Sequence, residues 1–401
     1  VAAALLGFSF YALQRWLEQG QLSDVGIYRH YAALVRGGAL PYRDFRLEYP
    51  PAALPVFLVP AYMSWSYATS FAALMGVCGA GCLAAAASAL RSVGAGAART
   101  WAGLLAIGVS PLVLGSLFDT RFDLWPTLLA VGAVAAIVRE RALTSGVLLG
   151  LGFAAKLWPG VLLPIAVAHV WRRRGRASGI AVGVAFVVAA GACFLPFALL
   201  APDGLHAMFS DQLGRPLQVE SLGSAVLMAA QHLGMRPLQT VTSHRAQALS
   251  GRGAGLAADL STALEVAAVV AVWVAFARRR TARGETALVA AAATVTALVA
   301  FDKVLSPQYL IWLIPLVALV RGWRGTAGGA LLLVALGLTA AWFPWHYWQL
   351  ALDHASPWSW YLLARDLVLV ALAAVLAREL SRGRDYEAGR AGWPAARRAG
   401  A

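Results

Sequence analysis

The sequence contains no asparagine and only two lysines, Lys156 and Lys303, in 401 residues. Charge of either sign is scarce: 13% of residues are Asp, Glu, Lys or Arg, against ~25% in a soluble domain. That shortage excludes an ordinary soluble enzyme. A net charge of +14 does not point to nucleic acid, because the arginines sit in short clusters and at the C-terminus and form no basic domain. Cysteine is nearly absent. Cys78, Cys82 and Cys193 all lie in apolar runs. Cys78 and Cys82 are one helical turn apart, but no His or acid beside them completes a metal site. Elsewhere the acids and histidines are scattered, with no ligand spacing, so no metal and no cofactor is expected. No stretch reads as a cleaved signal peptide, and no inverted repeat of the transporter kind is visible.

What remains is apolar. Hydrophobic residues make up 60% of the chain, and they fall in repeated long runs, the mark of a polytopic membrane protein. Arginine clusters at 91–99, 139–141, 172–176, 278–283, 321–324 and 378–384 are assigned to the cytoplasm by the positive-inside rule. The runs then thread as ten spans, 1–17, 67–90, 101–117, 124–138, 178–200, 259–277, 285–301, 308–320, 326–342 and 359–377, with both termini inside. Residues 143–171 begin and end at cytoplasmic arginines and are interrupted by "AAKLWPG". They are expected to form a hairpin of two broken helices turning at Lys156, an arrangement tolerated where it is buried in protein or lines a cavity. Residues 51–65 read as a short proline-broken element near the outer face. The polar segments 18–50, 118–123, 201–258, 302–307 and 343–358 all fall outside.

These outer segments hold the chemistry. In "SDVGIYRHYAALVRGG", Ser23 suits the N-cap of a helix of about four turns ending at Gly37-Gly38. Asp24, Tyr28 and Tyr31 share one face of it. An acid in the first turn is stabilised by the helix N-terminus, and a carboxylate held over a cavity can accept a proton from a sugar hydroxyl. A solvated first-turn acid is the plainer alternative. In "PYRDFRLEYPP", Tyr42, Asp44, Glu48 and Tyr49 offer a second wall, or else routine interfacial side chains. "SLFDTRFDLWP" places Asp119, Arg121 and Asp123 between two spans, as a self-satisfied cluster or as a polar pocket. Lys156 lies mid-run, where a charge is expensive and must face a cavity or a partner. A lipid-linked phosphate or a buried acid would each satisfy it, and the same holds for Lys303 beside Asp302. His346 stands in the tryptophan-dense "WFPWHYWQLALDHASPWSW" and has the chemistry of a proton shuttle.

The pieces "DVGIYRHYA", "G-ALPYRDFRLEYPP", "GFAAKLWPGVLLP", "RPLQVESLGSAV", "KVLSPQYLIWLIPL" and "RDLVLV" run in one order from residue 24 to residue 370. This pattern resembles glycosyltransferase family 87, membrane enzymes of the type C fold that use polyprenyl-phosphate sugars. The resemblance implies an all-α polytopic membrane protein. One transmembrane domain is expected over 1–377, with outer loops 18–50 and 201–258, and a basic cytoplasmic tail over 378–401. It implies a multi-pass protein of the plasma membrane whose active site faces the extracytoplasmic side. The implied reaction is inverting transfer of a hexose or pentose, mannose foremost, from a polyprenyl-phosphate donor. The acceptor is a lipid-linked or cell-envelope glycan, and membrane lipids are the other partners.

By position Asp24 matches the family's general base. Lys156, Lys303 and Arg215 lie in matching motifs and are implied to meet the donor phosphate. Tyr28, Tyr42, Glu48, Tyr49, Asp123, Glu220, Ser306, Gln308, Tyr309 and His346 complete the expected substrate-binding set. The chain departs from the pattern at "FDTRFD", at "HRAQAL" from His244, and at Asp302, where relatives commonly carry Gly. A polytopic transporter or lipid-linked sugar flippase is the alternative: it would need intramembrane lysines and broken helices, but no acid on a capped outer helix. A protein acceptor and an inert scaffold also stay open.

Overall fold

A backbone in hydrocarbon must satisfy its own hydrogen bonds, so long apolar runs become helices. The computed structural model describes residues 1–15, 22–235, 237–243, 245–279 and 283–391. His244, residues 280–282 of the fourth arginine cluster, residues 16–17 of the first expected span and residues 392–401 of the expected tail lie outside the described residues.

The chain opens with α1 (Ala2–Arg15), α2 (Val25–Arg36) and the short α3 (Leu54–Leu58), followed by α4 (Tyr67–Ser92) and α5 (Ala97–Leu114). A single turn, α6 (Leu117–Thr120), leads into α7 (Leu124–Val138), and then come α8 (Ala142–Ala155) and α9 (Leu163–Arg174). After α10 (Arg176–Leu200) the chain builds α11 (Pro202–Leu213), α12 (Leu222–His232) and an antiparallel hairpin of β1 (Gln239–Ser243) and β2 (Ala246–Ser250). The remainder is α13 (Ala254–Ala277), α14 (Gly284–Phe301), α15 (Leu310–Ala318), α16 (Gly322–Trp342), α17 (Tyr347–Asp353) and α18 (Trp358–Ala391).

The protein is an all-α polytopic membrane protein. Each of the ten expected spans is helical in the described residues. Seven helices among them, α4, α5, α10, α13, α14, α16 and α18, are long and apolar enough to cross a bilayer. Ala2–Ala12, Leu124–Val138 and Pro307–Ala318 are shorter apolar helices. Within the expected outer loop 201–258 lie two short helices and the β-hairpin, and α13 starts at Ala254 rather than at 259. The hairpin follows from the β-branched run Thr240-Val241-Thr242.

Burial grades the bundle from centre to rim. α14 is the central post, with 72% of its apolar window buried and alanines that let neighbours approach closely. α7 is apolar all round and buried, as such a helix should be. α10 buries only 17% of its window and turns Val184, Val187, Val188 and Leu199 outward, the composition of a lipid-facing surface.

The expected hairpin at 143–171 is present. α8 rises antiparallel to α7 as far as Lys156, a 3-10 turn (Trp158–Leu162) reverses the chain, and α9 returns. Its return is fixed by Glu140, which accepts from Arg173 at 2.6 Å and from Arg174 at 2.9 Å. Arginines satisfy helix C-terminal carbonyls all along this end. Arg99 donates to Ala318 O at 2.6 Å, Arg172 to Ala277 O at 2.7 Å, and Arg321 to Val93 O at 2.8 Å. A cation at a helix C-terminus meets both orphan carbonyls and the negative end of the macrodipole. So the clusters that read as topology signals also stitch the loops of one end together.

α8 packs on α10 through Gly146 and Gly150, one turn apart. A Cβ on Gly146 would stand 2.3 Å from Val182 O, and one on Gly150 would stand 2.5 Å from Phe186 O. Backbone lies against backbone there, the use of glycine that membrane helices favour. Gly150→Leu is expected to push α8 off α10 and lower the thermal midpoint in detergent by several degrees, whereas Gly183→Leu, which meets open space, should leave it unchanged.

Candidate active site

At the end opposite the arginine caps, the polar segments converge. α2 begins after Ser23, whose Oγ accepts from Val25 N at 3.2 Å, and it stops at Gly37, with Gly38 at φ +91°. Asp24 is therefore not spent on capping the helix. Its carboxylate instead forms an ion pair with Arg121, and Tyr28 reaches it weakly, Oη to Oδ2 3.4 Å. Arg121 also donates to Leu22 O at 2.9 Å, so one guanidinium holds both the start of α2 and its acid.

The next two residues extend the arrangement. Phe122 is buried among rings, 4.9 Å from Tyr49 and 5.3 Å from Phe57, while Tyr28 stacks on Phe57 at 4.4 Å. Asp123, 1% exposed at its side chain, accepts from Lys156 Nζ at 2.6 Å and from Trp312 Nε1 at 2.6 Å. The Lys156 ammonium sits 5.0 Å from the ring of Phe122, 5.1 Å from Tyr309 and 5.2 Å from Trp312, a three-sided aromatic cage. Tyr309 stacks on Trp312 at 4.0 Å, and Trp158 covers Trp312's other neighbourhood at 4.8 Å. "RFD" thus bridges two ion pairs, Asp24–Arg121 and Asp123–Lys156, with one aromatic ring between them.

Arg215 approaches from the loop between α11 and α12. It bears electrostatically on Lys156, Tyr309 and Asp302. Its buried Nε has no hydrogen-bond partner among the described residues. Glu220, on the same loop, is 3% exposed, and burial raises its carboxyl from 4.5 to about 7 against the nearby Arg365 and Arg121 charges. Asp302 is likewise raised by burial, to about 6, although its Oδ1 accepts from Val304 N.

The expected site residues therefore separate into groups. Asp24, Tyr28, Tyr49, Asp123, Lys156 and Tyr309 form one continuous chain of contacts, with Arg215 and Glu220 beside it. Lys303 stands apart from that chain. Its ammonium donates to Leu213 O at 3.1 Å and lines an open groove of about 610 Å³ on α13, with Asp259, Thr262, Val266 and Val270. So the two lysines implied to meet the donor phosphate stand apart: Lys156 is in the chain of contacts with Asp123, and Lys303 is at the groove on α13. Tyr42 and Glu48 hold loops: Tyr42 Oη donates to Tyr49 O at 2.6 Å, and Glu48 pairs with Arg245 at 3.1 Å. Ser306 accepts from Gln218 Nε2 at 2.8 Å, and Gln308 stands on the 3-10 turn Pro307–Tyr309 that carries Tyr309. His346 stacks on Trp358 at 3.9 Å at the rim. Arg121, weighed only as part of a local cluster or pocket, and Trp312 were not among the expected site residues. The signal for Arg121 was present, an arginine between two acids that both turn out buried.

The ionisation of Glu220 carries a sign. A carboxyl raised in the folded state favours the fold while protonated, so its contribution is present below about 4.5 and is lost as pH climbs through about 7. Glu220→Gln should remove that decline. We expect the thermal midpoint of the unaltered protein to fall relative to Glu220→Gln across this interval, read by parallel melts in detergent; parallel pH curves would contradict it.

Residues 47–307, more than half of the chain, match the model of a family described as Glycosyltransferase family 87. A comparison with curated proteins finds no match.

Proposed function

The chain belongs to glycosyltransferase family 87, and on that premise we propose that it moves a sugar from a polyprenyl-phosphate donor to a lipid-linked or cell-envelope glycan, with inversion. A hexose or pentose fits the reading, mannose foremost. The protein sits in the plasma membrane. Its arginine-capped end faces the cytoplasm by the positive-inside rule, and the site opens on the extracytoplasmic side.

The observation that carries the reading is the state of the cations. Arg121 is held by Asp24, Lys156 by Asp123 and Arg365 by Asp366. Arg215 differs: it has no ion pair among the described residues, its buried Nε has no hydrogen-bond partner among them, and it bears electrostatically on Lys156. A guanidinium with a spare donor in a buried, cationic corner suits a phosphate oxygen. Asp302 feels the charge of both Arg215 and Lys303, and Lys303 lines the groove on α13. The groove has polar residues at the top, Lys303 and Thr262, and apolar ones below, Val266 and Val270, which suits an isoprenoid chain under a charged head.

In the proposed step the Asp24 carboxylate accepts the proton of the acceptor hydroxyl. That oxygen forms a bond to the anomeric carbon, the bond from that carbon to the phosphate oxygen breaks, and the phosphate leaves with the electron pair. Fixed positive charge at Arg215, backed by Lys156, stabilises the leaving group. The Asp24–Arg121 pair aims the base from the start of α2.

Two variants test this with purified protein and radiolabelled polyprenyl-phosphate mannose. Asp24→Asn should lower transfer by about 10²–10⁴-fold, the usual worth of a general base, with undecaprenyl-phosphate binding retained. Arg215→Ala should weaken that binding by about tenfold, the loss of a charge-assisted hydrogen bond. Normal transfer by Asp24→Asn would remove Asp24 as the base.

A further inference from the structure

The last spanning helix carries a feature the reaction above does not use. Arg365 and Asp366 lie inside α18, both 0% exposed, with Arg365 Nε 2.7 Å from Asp366 Oδ1. Replacing a buried ion pair by apolar residues of similar volume is often neutral or stabilising. An arginine inside an apolar span therefore has a purpose other than holding the helix.

Its one hydrogen bond indicates the purpose: Arg365 Nη2 donates to Glu220 O at 2.6 Å. The remaining donors, Nε and Nη1, have no hydrogen-bond partner among the described residues, nor do Glu220 Oε2 and Trp342 Nε1 beside them. Glu220 lies near the end of the loop 214–221, and this loop is strapped from three sides. Gln218 N donates to Lys303 O at 2.8 Å, and Gln218 Nε2 to Ser306 Oγ at 2.8 Å. On the hairpin side, Val219 N donates to Gln247 O at 3.0 Å and Leu249 N to Leu217 O at 2.8 Å. Arg365 supplies the third strap, from within the membrane. At the other end of the loop stands Arg215.

Resting on the reading of Arg215 as the donor-phosphate cation, we propose that Arg365 is a positioning residue. From inside α18 it fixes the Glu220 carbonyl, and through the loop it holds Arg215 at the depth where the phosphate arrives. Arg365 does not touch the donor. Its loss displaces a group that does.

The test uses the full chain in nanodiscs with undecaprenyl phosphate as the probe. Arg365→Met combined with Asp366→Leu removes both buried charges at once and avoids stranding either. It should keep a thermal midpoint near that of the unaltered protein and weaken probe binding by about tenfold, the loss of a hydrogen bond to a charged donor. Adding Arg215→Ala to this pair should weaken binding little further, because both act through one group. Unchanged binding by the folded pair, or full additivity with Arg215→Ala, overturns the proposal. Should the pair fail to fold, Arg365→Lys decides: a lysine keeps the charge but reaches the carbonyl with a different geometry, and binding about threefold weaker is expected, while binding equal to the unaltered protein overturns the role. The underlying site reading is judged separately. If Arg215→Ala alone leaves binding unchanged, that reading falls and this inference with it. If Arg215→Ala weakens binding and the Arg365 variants do not, only the positioning role falls.

Discussion

The ion pair between Lys156 and Asp123 is the constraint on which the site depends. Lys156 stands at the tip of a hairpin between apolar helices, where an unpaired ammonium would cost several kcal/mol of desolvation. Asp123 at 2.6 Å and three aromatic rings near 5 Å meet that demand. The pair fixes how far α8 rises and where the chain turns back. It also fixes Asp123 itself, and the two residues before it follow: Phe122 fills the aromatic centre, and Arg121 emerges on the far side to hold Asp24. A charge that is expensive in the bilayer thus sets the position of the acid proposed to act on the acceptor.

The two ends of the bundle use charge differently. At one end arginines bind carbonyls that helix termini leave orphaned, and Glu140 ties α9 back to the start of α8. These contacts add up to a rigid base. At the other end cations pair with carboxylates, and the helix-connecting segments cross-link one another: Arg245 to Glu48 and Tyr31, Arg46 to Asp211, Gln212 to Glu48 O, Thr240 to Ala351 O. Such a lattice is what a site without a separate soluble domain needs. Its parts come from five segments far apart in sequence, and each is held by side chains of another.

Much of this was legible in the residues. The spans were readable because length and apolarity are local properties, and most helix ends match the expected runs to within about five residues, although α18 continues to Ala391, beyond the expected end at 377. The hairpin was readable because a lysine, a proline and arginines at both ends leave the chain one way to thread. Two things were not. The fold within residues 201–258 depends on tertiary pairing, β2 with the loop at 217–219, which no periodicity announces. The partner of each charge was also hidden. "FDTRFD" reads equally as a self-satisfied cluster, and only the fold shows that Arg121 turns to Asp24 and Asp123 to Lys156. Lys303 was grouped with Lys156 by residue type and matching motifs; the fold sets Lys156 against Asp123 and three aromatic rings, and Lys303 at the groove on α13.

The most direct measurement of the central claim is a cycle on the pair itself, read both by unfolding in detergent and by sugar transfer. Asp123→Leu alone should cost about 3–5 kcal/mol, because it strands the Lys156 ammonium. Asp123→Leu with Lys156→Met should recover most of that stability while transfer stays lost, since the fold no longer needs the pair but the site does. A double variant that recovers transfer along with stability would contradict the account.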